Sequence, residues 1–137
     1  MTDKANILRQ TTISVGAAEA AREIAVITRL GTDQDRPALV WLGGYRSDMA
    51  GTKAIEMDAL AAEQGICAIR FDYSGHGVSG GDFRKGTISR WTEEALAVLT
   101  ASGVSRAVLI GTSMGGWIAL RVIQEAHRLN LPFTVDG

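Results

Sequence analysis

A single serine lies between two glycines in the stretch IGTSMGG, residues 110–116, at the end of the apolar run RAVLI. The spacing of Gly111, Ser113 and Gly115 matches the G-x-S-x-G turn, which exposes a nucleophilic serine between a buried strand and a helix. The following sequence, GWIALRVIQEAHRL, is typical of that helix, and the glycines suit a turn that brings neighbouring backbones close together. The pattern predicts Ser113 as a nucleophile; the alternative is a glycine-rich turn with an incidental serine.

Two backbone amides are predicted to stabilise an oxyanion beside this serine. A helix that begins near Met114 directs its free amides and its positive dipole end toward Ser113, so the Met114 amide is one donor. The second donor comes from the loop after another buried strand, and the GGY loop that follows ALVWL occupies that place. We therefore expect the second donor to be the backbone amide of Tyr45.

Two other glycine-rich loops imitate nucleotide-binding motifs. GHGVSG, residues 75–80, matches G-x-G-x-x-G, but no helix can begin before about Thr87, so nucleotide binding there is a weak alternative. GGYRSDMAGTKA resembles a phosphate loop, but six residues separate Gly44 from Gly51 and the threonine precedes Lys53. That spacing departs from the pattern that wraps a phosphate, so the second match is rejected.

The elements that position these loops alternate along the chain. The short apolar runs ALVWLGG, ICAIRFDY and RAVLIG are typical of strands buried on both faces, and helical patterns lie between them. This order predicts a mostly parallel sheet with helices on both faces. An earlier pair of strands, TTISVG and REIAVITRLG, is expected to add an antiparallel edge, and FTV resembles the start of a further strand.

Each predicted helix has an expected buried face. The apolar positions are Ile55, Ala59 and Ala62 in the helix 53–64, and Ile88, Trp91, Ala95, Val98 and Leu99 in the helix 87–101. In the helix 115–129 the polar residues Arg121, Gln124, Glu125 and Arg128 share one face. Because the rest of that third helix is mostly apolar, we expect it to pack deeply.

Composition excludes several classes of protein. The 137 residues suit one domain, and 14 lysines and arginines against 15 acids give a net charge of -1, without a basic face for nucleic acid. The one cysteine, Cys67, lies in an apolar run and is interpreted as a buried hydrophobic residue rather than a reactive thiol. No stretch approaches the roughly 18 apolar residues of a membrane span, and no signal peptide begins the chain. We expect a cytoplasmic protein.

Three segments in order resemble the α/β-hydrolase superfamily: LGGYRSDMAGTKA, RFDYSGHGVSGGDF and GTSMGGWIAL. The chain is most similar, over about residues 20–137, to the α/β-hydrolase-domain proteins related to a mitochondrial palmitoyl-protein thioesterase and to their bacterial relatives. The resemblance implies a serine hydrolase that cleaves small acyl esters or thioesters through an acyl-enzyme, without a cofactor or metal. It implies Ser113 as nucleophile, the amides of Tyr45 and Met114 as oxyanion donors, Asp72 as a brace of its loop, and His76 outside the role of base.

The acid and base of a catalytic triad should follow the serine in this superfamily. Of the acids and the histidine after Ser113, His127 is 14 positions along the helix, which is about 20 Å at about 1.5 Å per residue. Glu125 lies on the polar face of that helix, and Asp136 is expected at the far edge of the sheet. His76 lies at the correct edge and remains an alternative base, although a bracing role suits it better.

The apolar strand 106–111 is expected to have a free edge, because no later strand is predicted to pair with it. We therefore predict that residues 1–137 are the amino-terminal part of a single α/β-hydrolase domain, whose carboxyl-terminal strands, acid and base are absent and which is inactive alone. The alternative is a non-catalytic interaction subunit or pseudoenzyme that pairs its open edge with another chain, including a second copy of itself.

Overall fold

The computed structural model describes residues 7–137. Six strands form one sheet in the order β1-β2-β4-β3-β5-β6. The strands are β1 Leu8–Val15, β2 Arg22–Arg29, β3 Ala38–Leu42, β4 Ala68–Phe71, β5 Arg106–Gly111 and β6 Thr134–Val135. The helices are α1 Thr52–Gln64, α2 Ile88–Ser102 and α3 Met114–Leu129, with single turns of 3-10 helix at Ala18–Ala20 and Phe83–Lys85.

The sheet is mixed, as the sequence predicts. β1 and β2 form an antiparallel hairpin, and β2 also runs antiparallel to β4. β3 lies parallel to β4 on one side and to β5 on the other. The chain therefore moves from β3 to β4 in one direction and from β4 to β5 in the other, which places a topological switch point at the carboxyl end of β3.

Helices cover both faces of the sheet, as expected for crossovers of one hand that run in opposite directions. On one face, α2 and α3 enclose the larger core around Ile69, Leu99 and Ile118. On the other face, α1 packs against Trp41 and Ala68 in a smaller cluster. The predicted α/β-hydrolase architecture, a mostly parallel sheet with helices on both faces and an antiparallel pair of strands at one edge, is confirmed.

The buried face of α1 differs from the predicted one. Ile55 and Ala59 are exposed, whereas the residues that face the sheet are Ala54, Met57, Asp58 and Ala61. The Asp58 carboxylate accepts two hydrogen bonds from the Arg29 guanidinium, both at 2.8 Å. Because an acid lies on the buried face and apolar residues also lie on the exposed side, the hydrophobic pattern does not identify the face of α1 that packs against the sheet.

The expectation that α3 packs deeply is also wrong. Its sheet-facing residues Ile118 and Val122 are fully buried, but Trp117, Leu120 and Ile123 are 57, 64 and 43% exposed. The apolar pattern includes residues that the described part of the chain does not cover. α3 therefore presents a second, exposed apolar face.

The edge of β5 is partly paired, which corrects the expectation that no later strand reaches it. β6 lies parallel to the start of β5, with Arg106 opposite Thr134 and Ala107 opposite Val135. The amide of Leu109 also donates to the carbonyl of Gly137 at 2.9 Å. The sequence FTV does lead into a strand, and the edge left without a strand is the half of β5 nearest Ser113.

Candidate active site

Ser113 lies at the turn between β5 and α3 in a strained backbone conformation. Its φ of 54° and ψ of -119° are unusual for a residue with a side chain, and Ser113 is exposed at the amino end of α3. The turn is fixed on both sides: the Thr112 amide donates to Leu42 at 3.2 Å, and the Gly116 amide donates to Ser113 at 2.9 Å. This geometry projects the serine from the carboxyl edge of the sheet.

Two glycines make this turn sterically possible. A Cβ atom added at Gly115 would lie 1.9 Å from the carbonyl oxygen of Leu42, and one added at Gly111 would lie 2.4 Å from the carbonyl oxygen of Gly115. Both obstacles are backbone atoms, so no rotation of a side chain relieves them. This turn, residues 111–115, is called the serine elbow below. It requires glycine at both positions because α3 starts in direct contact with the ends of β3 and β5.

The loop after β3 lies against the elbow. A Cβ atom added at Gly44 would be 3.6 Å from the Cβ of Ser113 and 3.4 Å from the carbonyl oxygen of Thr112. Gly44 begins a tight turn that the Ser47 amide closes by donating to its carbonyl at 3.1 Å. The next residue, Tyr45, therefore follows the point at which this loop approaches the serine.

The amides of Tyr45 and Met114 suit the predicted role of oxyanion donors. Within residues 7–137, neither amide donates to a protein acceptor. Met114 is the first residue of α3, where the helix leaves amides unpaired and its dipole favours negative charge. The structure brings both loops to the serine, and the roles of the two amides stay predictions.

Asp72 connects the loops after β3 and β4. It is buried, and its carboxylate accepts the Met49 amide at 2.8 Å and the Val78 amide at 2.9 Å. Its carbonyl accepts the hydroxyl of Ser79 at 2.6 Å. A Cβ atom at Gly77 would clash with the carboxylate, so the glycine permits this close approach. Asp72 therefore braces its own loop after β4, as the resemblance implies, and also the loop after β3.

His76 uses both ring nitrogens to brace the same region. Its Nε2 accepts the Arg46 amide at 3.1 Å, and its Nδ1, 3.0 Å from the Ser74 carbonyl, therefore carries the proton and donates. The ring is buried. A general base needs a free nitrogen near the serine hydroxyl, and both nitrogens of His76 are occupied by backbone groups.

Glu94 organises the buried side of these loops, and sequence reasoning missed it. This fully buried carboxylate accepts the Ser74 amide at 2.7 Å, the Ser74 hydroxyl at 2.6 Å and the Arg22 guanidinium at 2.8 Å. It lies next to Ala95 on the apolar face of α2. An acid within an apolar helical face was the available signal, because such a group needs compensating partners.

Tyr73 joins β4 to the loop after β3 through its hydroxyl, which donates to the Gly43 carbonyl at 3.1 Å. Burial, with a further contribution from the negative charge of Glu94, raises the pKa of Tyr73 far above its usual range. The phenol therefore stays protonated and acts as a hydrogen-bond donor. Tyr73 supports the backbone on which Gly44 and Tyr45 lie.

The histidine and the two acids that follow Ser113 in the sequence lie far from the serine, as the sequence predicts. His127 is exposed in the last turn of α3, which begins beside Ser113. Asp136 donates its amide to Ala107, near the amino end of β5, while Ser113 follows the carboxyl end. Glu125 pairs with Arg128 at 2.7 Å, and this arginine contact holds the pKa of the Glu125 carboxyl below its usual range. None of the three reaches the elbow.

The remaining alternatives find no support in the geometry. The loop 75–80 is followed by a single 3-10 turn, and α2 begins only at Ile88, so the loop does not lead directly into a helix as the nucleotide-binding motif requires. Among residues 7–137, no group of three or more acids, histidines or cysteines is placed to hold a metal ion. In the same part of the chain, no helix has the length and apolarity needed to cross a membrane.

Comparison with known proteins agrees with this geometry. A model of the alpha/beta hydrolase family matches residues 30–136, which is most of the chain. The mitochondrial palmitoyl-protein thioesterase ABHD10 of Homo sapiens is 36% identical over 84 residues, which are 61% of this chain and 28% of the relative.

Two solved structures are similar over nearly all of the chain. A candidate hydrolase from Agrobacterium vitis S4 has 57% sequence identity and a TM-score of 0.93, covering 96% of this chain and 51% of that one. Alpha/beta hydrolase domain-containing protein 10 from mouse has 28% identity and a TM-score of 0.75, covering 85% and 45%. The chain thus spans about half the length of these structures.

Proposed function

Because this chain belongs to the alpha/beta hydrolase family, we propose that it carries the nucleophile and oxyanion donors of a serine hydrolase acting on carboxylic esters or thioesters. The observation that carries the proposal is the strained, exposed conformation of Ser113 between two obligatory glycines. A strained residue persists only where the surrounding structure holds it, and such residues concentrate at active sites. Similarity to a palmitoyl-protein thioesterase supports an acyl ester or thioester as the substrate class proposed for this chain.

In the proposed reaction, the Ser113 hydroxyl oxygen attacks the acyl carbonyl carbon and its proton passes to a base. The resulting oxyanion accepts hydrogen bonds from the amides of Tyr45 and Met114. Collapse of this intermediate expels the alcohol or thiol and leaves an acyl-enzyme, which water hydrolyses. Hydrogen-bond donors that are fixed in place before the reaction lower its barrier, because they need no reorganisation as negative charge develops.

The base and acid of this reaction are proposed to lie outside residues 7–137. Both nitrogens of His76 are engaged, and His127 lies at the opposite end of α3 from Ser113. Oxyanion stabilisation without a triad retains only about 10³- to 10⁴-fold acceleration over the uncatalysed reaction. We therefore expect the 137-residue chain alone to be nearly inactive.

A fluorophosphonate probe tests this assignment because it phosphonylates activated serines. We expect rapid labelling of Ser113 in a protein that joins residues 1–137 to a histidine-bearing carboxyl-terminal half, and little labelling of the chain alone. Ser113→Ala should abolish the signal, whereas Ser89→Ala, an exposed serine on α2, should retain it. Peptide mass spectrometry locates the adduct. Undiminished labelling of the Ser113→Ala variant would overturn the assignment.

The exposed apolar face of α3 favours a second candidate, a non-catalytic subunit that associates through this face and the neighbouring sheet edge. Burial of Trp117, Leu120 and Ile123 against a second copy would remove exposed apolar surface from water. If this candidate is correct, light scattering should show a discrete dimer that Leu120→Lys dissociates. Leu60→Lys, on an exposed part of α1, is the control. A monomer at 100 µM contradicts association between copies.

A further inference from the structure

One arginine beside the candidate site has no acidic partner. Seven of the eleven arginines in residues 7–137 form ion pairs with aspartate or glutamate, and Arg46 is one of the four that form none in that part of the chain, with Arg9, Arg36 and Arg90. Arg46 is exposed and directly follows Tyr45, the expected oxyanion donor. A cation without a partner at this position is available to an anionic ligand.

Aromatic side chains hold the Arg46 guanidinium in place. Its central carbon lies 5.6 Å from the ring centroid of Tyr45 and 5.2 Å from that of Phe83. These two rings are 5.3 Å apart and form one aromatic surface. A guanidinium over an aromatic face keeps its edge N–H groups free, and those groups match the two oxygens of a carboxylate.

The backbone of Arg46 is held in a conformation that a side chain normally avoids. Its φ is 60°, in the turn closed by the amide of Ser47, and its own amide donates to His76. Glycine would occupy this left-handed position without strain. An arginine kept at a position that favours glycine suggests a use for its side chain.

The space beside this guanidinium is small and polar. A cavity of about 240 Å³ is lined by Arg46, Asp48, Phe83 and the loop around His76. The carboxylate of Asp48 accepts the Ala50 amide at 2.9 Å and forms no ion pair with Arg46. The cavity is large enough for a carboxylate group, and its lining holds one arginine and one aspartate that form no ion pair with each other.

From these observations we propose that Arg46 is a specificity-determining residue that binds a carboxylate of the substrate. The substrate is then an ester or thioester with a carboxylate several bonds from the carbonyl attacked by Ser113, in the acyl part or in the leaving group. This inference rests on the proposed function for its substrate class. The binding of the carboxylate itself does not depend on a complete triad.

A nuclear magnetic resonance titration of the ¹⁵N-labelled 137-residue chain tests binding without catalysis. The probes are monomethyl glutarate, with the carboxylate in the acyl part, 3-acetoxypropanoate, with it in the leaving group, and dimethyl glutarate as the neutral counterpart. We expect saturable shifts of the Arg46 Nε–H and of the Tyr45 amide with one or both carboxylates, at least fivefold weaker with the diester. The stronger carboxylate identifies the side of the ester that Arg46 contacts.

Variants give this titration its control. Arg46→Gln should abolish the shifts, whereas Arg36→Gln, an exposed arginine before β3 at the other end of the sheet, should retain them. Equal shifts with the diester, shifts that persist in Arg46→Gln, or no shift with either carboxylate would overturn the proposal. Spectra that otherwise superimpose show that the variants are folded.

Hydrolysis provides the second measurement in a protein that cleaves the neutral ester p-nitrophenyl butyrate. The preference for the p-nitrophenyl monoester of glutaric acid, as a ratio of kcat/KM values, should fall at least tenfold in Arg46→Gln, mainly through KM. Failure to hydrolyse any ester would count against the proposed function, while the titration result would still decide the role of Arg46. This pair of esters applies where the titration places the carboxylate in the acyl part; where it places the carboxylate in the leaving group, 3-acetoxypropanoate is compared with its methyl ester. An unchanged ratio for the pair that the titration selects would overturn the inference about Arg46 alone.

Discussion

Two adjacent glycines at the start of α3 occupy different environments. Gly115 is buried against the end of β3, where an added Cβ would lie 1.9 Å from the Leu42 oxygen. Gly116 is open, and the nearest atom to its added Cβ lies 4.0 Å away. The G-x-S-x-G pattern includes Gly115 but not Gly116, and the structure shows that only Gly115 lacks space for a side chain.

This difference predicts opposite effects of one methyl group. Gly115→Ala should lower the free energy of unfolding by about 3 kcal/mol or more, because α3 must move away from β3. Gly116→Ala should raise it by about 0.5 kcal/mol, because alanine loses less backbone entropy in a helix. Urea unfolding of the two variants measures both changes. A shift of the same sign in both would contradict the steric explanation.

The sequence contains a clear signal for some site residues and a weak one for others. Ser113 was predictable because its neighbours are constrained by the turn itself, and the turn has a fixed spacing. Glu94 and Arg46 were not predictable, because their roles depend on partners distant in the chain. Glu94 meets Ser74 and Arg22 only after folding, and Arg46 meets Phe83 across two loops.

At the scale of the elements, the loops after β3 and β4 behave as one unit because a single carboxylate connects them. Asp72 accepts the Met49 amide from the first loop and the Val78 amide from the second. The first of these loops also contains Tyr45. The position of Tyr45, the proposed oxyanion donor, therefore depends on the buried carboxylate of Asp72.

Asp72→Asn tests this connection. An asparagine has one acceptor oxygen, so its amide nitrogen must face one of the two backbone donors, and a buried donor loses its partner. We expect the free energy of unfolding to fall by about 1.5–3 kcal/mol. Asp33→Asn, whose carboxylate accepts only an exposed turn amide, should change it by less than about 0.5 kcal/mol.

Urea unfolding gives both values, and amide hydrogen exchange at Met49 and Val78 shows where the change lies. Faster exchange is expected in Asp72→Asn at the amide that loses its acceptor. A stability equal to that of the unchanged chain would show that the carboxylate does not connect the loops.

The parallel core of the sheet and its antiparallel edge were more predictable than the faces of the helices. Short apolar runs separated by helical patterns leave few parallel arrangements, and β3, β4 and β5 follow one of them. The face of α1 was mispredicted because Asp58 is buried with Arg29. For α3, a pattern of apolar residues shows that a surface avoids water, but it does not show which element covers that surface.

At the scale of the whole molecule, the two faces of the sheet and its switch point define where chemistry can occur. The loop after β3, the loop after β4 and the turn that contains Ser113 leave the sheet at the carboxyl ends of β3, β4 and β5, respectively. The ion pair between Arg106 and Asp136 lies at the opposite end. The molecule thus has one edge for the candidate site and one edge that serves stability.

The half-buried thiol of Cys67 and the buried phenol of Tyr73 predict how the stability of the fold changes in alkaline solution. Burial raises the pKa of the Cys67 thiol, and burial together with the charge of Glu94 raises the pKa of Tyr73. In the unfolded chain these groups lose their protons near pH 8.5 and pH 10, respectively, at about their ordinary pKa values. The folded chain then binds more protons than the unfolded chain, so the free energy of unfolding falls as pH rises.

We expect this free energy to start falling above about pH 8.5 and to fall more steeply above about pH 10, by at most about 1.4 kcal/mol per pH unit for each proton. Cys67→Ala should flatten the first part of the curve, and Tyr73→Phe the second. Tyr73→Phe also loses the hydrogen bond to Gly43, which lowers the whole curve, so the slope is the quantity to compare. Urea unfolding from pH 7 to pH 11 measures it. An unchanged slope in Tyr73→Phe above pH 10 would show that the Tyr73 phenol ionises as readily in the folded chain as in the unfolded one.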